Sequence, residues 1–336
     1  MVKIAFFEIE SWMKNYLKKE LKGNTLYFSK SNLTKNSAKK IKNYDIVSTF
    51  IHSKIESEIL NKLPRLKLLT TMSTGYDHYN IKDCLARKIT ICNVPTYGEN
   101  TVAEHTFALI LNLSRKISES INKVKSGHYD LHGIRGFDLK NKTIGIIGLG
   151  NIGKHVARMA NGFEMKILAF DFNKDKKFAK KYNVKYSTMN NIFKNSDIIT
   201  FHVPYNKHTH HLLNKNAIKI MKKGSFVVNT SRGAVIDTNA LIYGINKKII
   251  KGAALDVMED ESFIGFDDIP LSEKYFKQSK DKLKLLVQEH MLNDLDNVLI
   301  TPHNAFNSKE ALTRILDTTI KNIKFFLKKK TINKIK

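Results

Sequence analysis

The feature that most limits how this chain can fold is the run Gly148-Leu-Gly150-Asn-Ile-Gly153. An apolar stretch, residues 143–147, leads into it, and a helical pattern, "NIGKHVARMA", leads out. A strand that turns straight into a helix cannot meet its successor through a hairpin. The chain must cross over and return parallel, so the segment predicts a βαβ unit. The same turn suits an anion. Glycines allow close approach of backbone, and the helix start presents unpaired N–H groups at the positive end of its dipole. With a strand before it and a helix after it, this spacing is that of a loop for a dinucleotide pyrophosphate. The next strand ends at Asp171, whose carboxylate can accept both hydroxyls of a ribose. A 2′-phosphate would meet a like charge there. The expected cofactor is therefore NAD rather than NADP, with Lys174 nearby as the one softening influence.

The rest of the chain repeats the βα theme. "KIAFFEI", "TLYFS", "DIVSTF", "LKLLTTM" and "ITICNV" read as strands, with helical pieces such as "SWMKNYLKKEL" between them. Residues 101–124 read as one long helix. Thr101 and Glu104 form a capping box at its start, and Leu109, Leu113, Ile117, Ile121 and Val124 form an apolar stripe. A second series follows from Lys142: "TIGIIG", "MKILAFD", "SDIITFHV", "SFVVNTS", "GAALDV" and "NVLITP". After Pro302 the pattern shows only a helix and a basic tail. At 336 residues the chain exceeds one ordinary core, so two domains are expected, with the transition around the long helix. Segment 262–296 is longer than an ordinary αβ connection.

The formal net charge is +26, from 57 basic and 31 acidic residues. The lysines are spread along the chain and no nucleic-acid motif accompanies them, so no specific nucleic-acid partner is expected. Cys84 and Cys92 have neither CxxC nor metal-ligand spacing, which argues against a disulfide framework and for a reducing compartment. "MVKIAFFEIE" reads as a strand rather than a signal peptide, and no apolar run reaches bilayer length. No membrane association and a cytoplasmic location are expected. The "HTHH" run at 208–211 lies in a polar loop without an evident acidic or thiol partner, so no metal is expected.

A nicotinamide cofactor implies hydride transfer. For a hydroxy-acid substrate one group must hold the carboxylate, one must move the hydroxyl proton, and one must tune that base. In a doubly wound sheet such groups belong at the carboxyl ends of strands. "VVNTSR" delivers Arg232, "ALDVMEDE" delivers Asp256 and an acidic cluster, and "VLITPH" delivers His303. These motifs, with the glycine loop, "STGYDHYNI" (73–81) and "NVPTYGENTVAEH" (93–105), resemble the D-isomer-specific 2-hydroxyacid dehydrogenase family over nearly the whole chain.

The resemblance implies an α/β fold of two doubly wound parallel-sheet domains with a cleft between them. A flavodoxin-like substrate domain would comprise 1–100 plus 305–336, and a Rossmann NAD-binding domain 101–304. Arg232 would bind substrate carboxylate and carbonyl oxygen, which suits a planar guanidinium fork. His303 would be the general acid/base, and Glu261, selected from its acidic neighbours by the "DVxExE" pattern, would keep the imidazole protonated for keto-acid reduction. Backbone N–H groups of Thr74 and Gly75 would help hold the carboxylate. Asn151, Ile152, Val203, Pro204, Thr209, Thr230, Ser231, Arg232 and Asp256 would line the cofactor beside the glycines. Gly233 would let the chain turn away close to the ligand. A homodimer through the cofactor domain is implied as well.

Within the family, Tyr97 and Phe306 match the D-lactate dehydrogenase-like branch, and Phe50 supplies a third aromatic. Such a pocket suits pyruvate or a slightly larger apolar 2-keto acid. Two other readings stand beside this one: a dehydrogenase of another small anion, phosphite-like, and a non-catalytic NAD-sensing regulator. Retention of Arg232, Glu261 and His303 together favours the enzyme.

Overall fold

The structure, a computed structural model, describes residues 1–259 and 280–335. The chain divides into two units, Met1–Gly98 with Asn307–Lys336, and Glu99–Phe306. In the first unit five strands, β1 (Lys3–Phe6), β2 (Thr25–Phe28), β3 (Ile46–Thr49), β4 (Leu68–Thr71) and β5 (Thr90–Cys92), form one sheet in the order β2-β1-β3-β4-β5. In the second, seven strands follow: β6 (Thr143–Ile147), β7 (Lys166–Phe170), β8 (Val184–Tyr186), β9 (Ile198–Phe201), β10 (Ser225–Asn229), β11 (Ile250–Leu255) and β12 (Val298–Ile300). Their order is β12-β11-β10-β9-β6-β7-β8. Every strand pairing in both sheets is parallel. Both sheets are thus doubly wound, as the βα alternation predicts. Each has a switch point where the winding reverses, between β1 and β3 in one and between β6 and β9 in the other.

Parallel strands covered on both faces need apolar side chains on both. β3, β4, β9 and β10 are buried at every residue. Along β10 the sides alternate. Val227 packs with Ile147, Ile199 and Ala253, while Phe226 and Val228 pack on the other face with Ile146 and Ala254. Each full burial of a Val or Ile side chain contributes about 1.5–3 kcal/mol. β8 lies at the sheet edge, and the sequence pattern does not announce it. Its residues "VKY" form no apolar run, with only Val184 buried.

The long helix expected over 101–124 is two helices, Glu99–Arg115 and Ile117–Lys125, and the chain between them passes through Lys116 at φ 52°. The break has a partner distant in sequence. The Ser114 carbonyl accepts the N–H of Phe137 at 2.8 Å, while the Ser118 N–H donates instead to Asn112 Oδ1 at 2.8 Å. Gly136 permits this docking, since a Cβ there would lie 2.2 Å from the Ser114 oxygen. The expected capping box is also displaced: the helix starts two residues earlier, at Glu99, so Thr101 lies inside it. The apolar stripe divides at the break. Leu109 is buried, but Ile117, Ile121 and Val124 are 46%, 49% and 49% exposed.

The last helix, Lys309–Leu327, belongs to the first unit and buries Ile315, Leu316, Ile320 and Ile323. Ser308 caps it, and Asn322 and Arg314 tie it to the carbonyls of Asn93 and Tyr97 at 2.9 and 2.5 Å. Both cysteines are buried and unpaired, and burial pushes each thiol up to about 11. Among the described residues, no helix is long and apolar enough to cross a membrane.

Candidate active site

The glycine loop occupies the turn after β6, and each glycine has its own reason. Gly148 has φ 95°, and a Cβ there would meet the His202 carbonyl at 2.6 Å. Gly153 lies against the same turn, where a Cβ would fall 2.0 Å from the Gly148 oxygen. Gly150 faces open space, and a Cβ there would meet nothing within 4 Å. It caps the helix Asn151–Gly162, whose first N–H groups border that space. These residues fit a pyrophosphate: two glycines hold the turn close and the third leaves room.

Asp171 closes the neighbouring side. Its carboxylate accepts the N–H of Leu149 at 2.7 Å and of Asn173 at 2.8 Å, so this acid and the glycine loop are held as one piece. Lys174 turns elsewhere, with its ammonium 6.0 Å from the Tyr186 ring centre. After β9, Val203 borders Gly148, and the Thr209 hydroxyl donates to the Pro204 carbonyl at 2.7 Å. Ile152 is half-buried on the first turn of the following helix, beside exposed Asn151.

The turn after β10 is organised by Asn229, which is fully buried. Its Oδ1 accepts from the Ser231 N–H at 3.0 Å and hydroxyl at 2.8 Å, and its Nδ2 donates to the Arg232 carbonyl at 2.9 Å. Arg232 follows in extended backbone, half-buried, with Nη1 donating to the Ser231 carbonyl at 2.8 Å. The Thr230 hydroxyl meets that of Thr106, from the helix Glu99–Arg115, at 2.9 Å. Gly233 is required by the protein's own packing. A Cβ there would lie 1.9 Å from the Met258 carbonyl, so only glycine lets this turn pass the segment after β11.

Asp256, 1% exposed, anchors the turn after β12. It accepts the Thr301 hydroxyl at 2.5 Å and the N–H groups of Asn304 and Ala305 at 3.0 and 2.9 Å, and His105 Nε2 lies 3.4 Å away. His303 sits within this held turn at φ 51°, its ring edge-on to Phe306 at 6.4 Å between centres. The backbone of the turn is thus held on both sides of His303. Glu261 lies outside the described residues. Its neighbour Glu259 has other work: it pairs with His211 Nε2 at 2.6 Å and accepts the Thr238 hydroxyl at 2.8 Å. The "HTHH" run therefore does have an acidic partner, which its sequence surroundings hide. Even so, no group of three or more candidate metal ligands exists among the described residues.

In the first unit, the remaining candidates occupy the carboxyl ends of three adjacent strands. Phe50 follows β3, Thr74 and Gly75 follow β4, and Tyr97 follows β5. The Thr74 hydroxyl donates to the Val94 carbonyl at 2.9 Å, and Asn93 Nδ2 donates to the Thr74 carbonyl at 2.8 Å. The Ser73 hydroxyl bridges to the Gly75 carbonyl at 2.6 Å. The turn therefore spends its carbonyls and hydroxyls internally, while no acceptor among the described residues takes the N–H of Thr74 or Gly75.

The description "D-isomer specific 2-hydroxyacid dehydrogenase, NAD binding domain" matches residues 107–305. The chain belongs to the D-isomer specific 2-hydroxyacid dehydrogenase family. A "2-hydroxyacid dehydrogenase homolog" of Zymomonas mobilis is 32% identical over 330 residues, covering 96% of each chain. An "aromatic 2-oxoacid reductase" of Clostridium sporogenes is 34% identical over 322 residues, 95% of this chain and 93% of that one. Among solved structures, D-lactate dehydrogenase from Aquifex aeolicus, complexed with NAD and lactic acid, superposes with a TM-score of 0.85 at 33% identity, covering 97% and 96%. The chain is thus an NAD-dependent oxidoreductase of the 2-hydroxyacid dehydrogenase family. Asn229, His105 and Thr106 bond to the candidate residues Ser231, Arg232, Asp256 and Thr230 without being candidates themselves, although Asn229 and His105 lie inside the quoted motifs. Their only local signal is a polar residue closing an apolar strand, or lying on the inner face of an apolar helix.

Proposed function

We propose that this dehydrogenase interconverts pyruvate, or a similar small apolar 2-keto acid, with its D-2-hydroxy acid. The observation that carries the reading is the pair Arg232 and His303. They stand at the carboxyl ends of β10 and β12, on either side of β11, whose Asp256 locks the His303 turn. NAD, when bound, supplies or accepts the hydride. Arg232 holds the carboxylate and carbonyl oxygen through a planar fork, and the amides of Thr74 and Gly75 take the same carboxylate. His303 gives its proton to the carbonyl oxygen as reduction proceeds and recovers it in the reverse direction. Glu261 is assigned as the acidic partner of His303. Asp171 binds the ribose hydroxyls, and the turns at 203–209 and 230–231 wall the cofactor. Phe50, Tyr97 and Phe306 form the apolar surroundings of the substrate side chain, which supports pyruvate and its larger relatives over charged substrates.

The purified protein with NADH should consume pyruvate or a related acid from a panel that includes glyoxylate and phenylpyruvate. Absence of turnover across the panel rejects this function. His303→Ala should lower kcat by about 100-fold or more while leaving NADH affinity within about twofold.

We also propose a homodimer through the second unit. The exposed face of Ile117, Ile121 and Val124 supports it, since a stripe of this kind at helical spacing suits burial against a second copy. Ile121→Lys should convert the dimer to monomer in sedimentation velocity.

A further inference from the structure

The loops above the first sheet converge on one acidic side chain that the proposed mechanism leaves unused. Glu8 follows β1 at φ 60°, in the left-handed region where residues other than glycine are uncommon. Its N–H donates to the Ser31 carbonyl at 3.3 Å. Its carboxylate accepts three donors from the segment after β3: the N–H of Phe50 at 3.0 Å, the N–H of His52 at 2.8 Å and the Ser53 hydroxyl at 2.5 Å. Ser53 is fully buried, and its oxygen accepts the N–H of Leu33 at 2.9 Å. Asn32 adds a bond to the His52 carbonyl at 3.2 Å. One carboxylate thus joins the loops after β1, β2 and β3. They border an open hollow of about 830 Å³ whose walls include Trp12, Lys30 and Phe50.

We propose that Glu8 is a positioning residue for substrate selectivity, setting the place of the Phe50 ring. This rests on the function proposed above. Two amides in the same short loop, those of Phe50 and His52, point at the same carboxylate. A loop can do that only when folded around the acid, which fixes the direction in which Phe50 leaves the backbone. Bonds to an ionised acceptor are roughly twice as strong as neutral ones. An amide cannot replace the acid, because its NH2 would face an N–H or a hydroxyl already committed as a donor. A non-glycine residue kept in a left-handed conformation needs surroundings that over-determine it, and this network supplies them. Released from Glu8, the Phe50 loop relaxes and the substrate side-chain pocket widens.

The test compares Glu8→Ala, Glu8→Gln and Ser53→Ala with the wild type. It reads kcat and KM for pyruvate and for phenylpyruvate, KM for NADH, and hydrogen exchange at the Phe50 and His52 amides. Glu8→Ala should move the kcat/KM ratio toward phenylpyruvate by about tenfold, mainly through the keto-acid KM, with the NADH KM within about twofold. Exchange at both amides should rise by about tenfold or more. Ser53→Ala, which removes one donor and keeps the acid, should move the ratio the same way by about threefold, and it carries the test if Glu8→Ala does not fold. Unchanged selectivity in folded Glu8→Gln or Ser53→Ala overturns the assignment, and so does unchanged amide exchange in the Glu8 variants. A wild type that reduces no 2-keto acid overturns the proposed function and this assignment together. An active wild type with selectivity indifferent to Glu8 overturns only the latter.

Discussion

β1 and β6 each begin a doubly wound sheet, and both begin it the same way. Asp45, just before β3, accepts the N–H of Lys3 at 3.2 Å; Asp197, just before β9, accepts the N–H of Thr143 at 2.8 Å. A lysine or arginine lies near each acid: Arg65 and Lys67 at 3.4 and 3.5 Å from Asp45, and Lys222 at 2.7 Å from Asp197. At the carboxyl ends the likeness stops. After β6 the backbone takes its positive φ at a glycine, and Gly150 leaves space for a ligand's anion. After β1 the positive φ falls on Glu8, whose own carboxylate collects the N–H groups gathered there. The topology offers a crevice at both switch points. Whether an anion arrives from solvent or is built into the chain depends on which side chain stands at the turn.

The contrast can be broken most forcefully at Gly153. Gly153→Ala places a carbon 2.0 Å from the Gly148 oxygen, so the helix must shift. The expected cost is about 1–3 kcal/mol of stability, with NADH affinity lost by about 100-fold, read by thermal melting and by titration. Gly150→Ala separates the two effects. Its added methyl meets nothing in the protein. Melting without cofactor should therefore stay within about 1 °C, while NADH binding weakens by about tenfold as the methyl enters the pyrophosphate's space.

The smallest effect tests the shared amino ends. Burial works to raise both Asp45 and Asp197, but it is outweighed. The Lys3 N–H with Arg65 and Lys67, and Lys222 with the Thr143 N–H, hold these carboxyls below the usual carboxylate range. A depressed folded-state pKa means that the unfolded chain takes up protons first on acidification. The stability these acids contribute is therefore present above about pH 4 and is lost as pH falls through their folded values. Asp45→Asn and Asp197→Asn should each flatten the fall of the melting temperature below about pH 4, and to a similar degree in the two units.

Much of the architecture is legible in the sequence because it repeats locally. Apolar β-rich runs alternating with helical patterns specify parallel strands wherever they occur, and both sheets follow from them. β8 escapes because an edge strand of three residues needs little apolar surface. The helix break escapes because it is decided by Phe137, far along the chain from Ser114. The same division holds for the candidate site. Gly148 and Gly153 answer to atoms of their own turn or of the chain just after an adjacent strand, and Gly150 to open space, so the motif carries its own explanation. Glu259 and Glu8 act through partners that only the folded chain brings near. Glu259 reaches His211 across 48 residues and Glu8 reaches Ser53 across 45. No periodicity announces such pairs.

The change of direction at Lys116 has a thermodynamic consequence. It carries Ile117, Ile121 and Val124 off the stripe that covers Leu109 and leaves them in water. If a second copy shields that face, folding and association draw on the same free energy. The melting temperature then rises with protein concentration by mass action. Any single figure for this chain's stability would describe a dilution as much as a molecule.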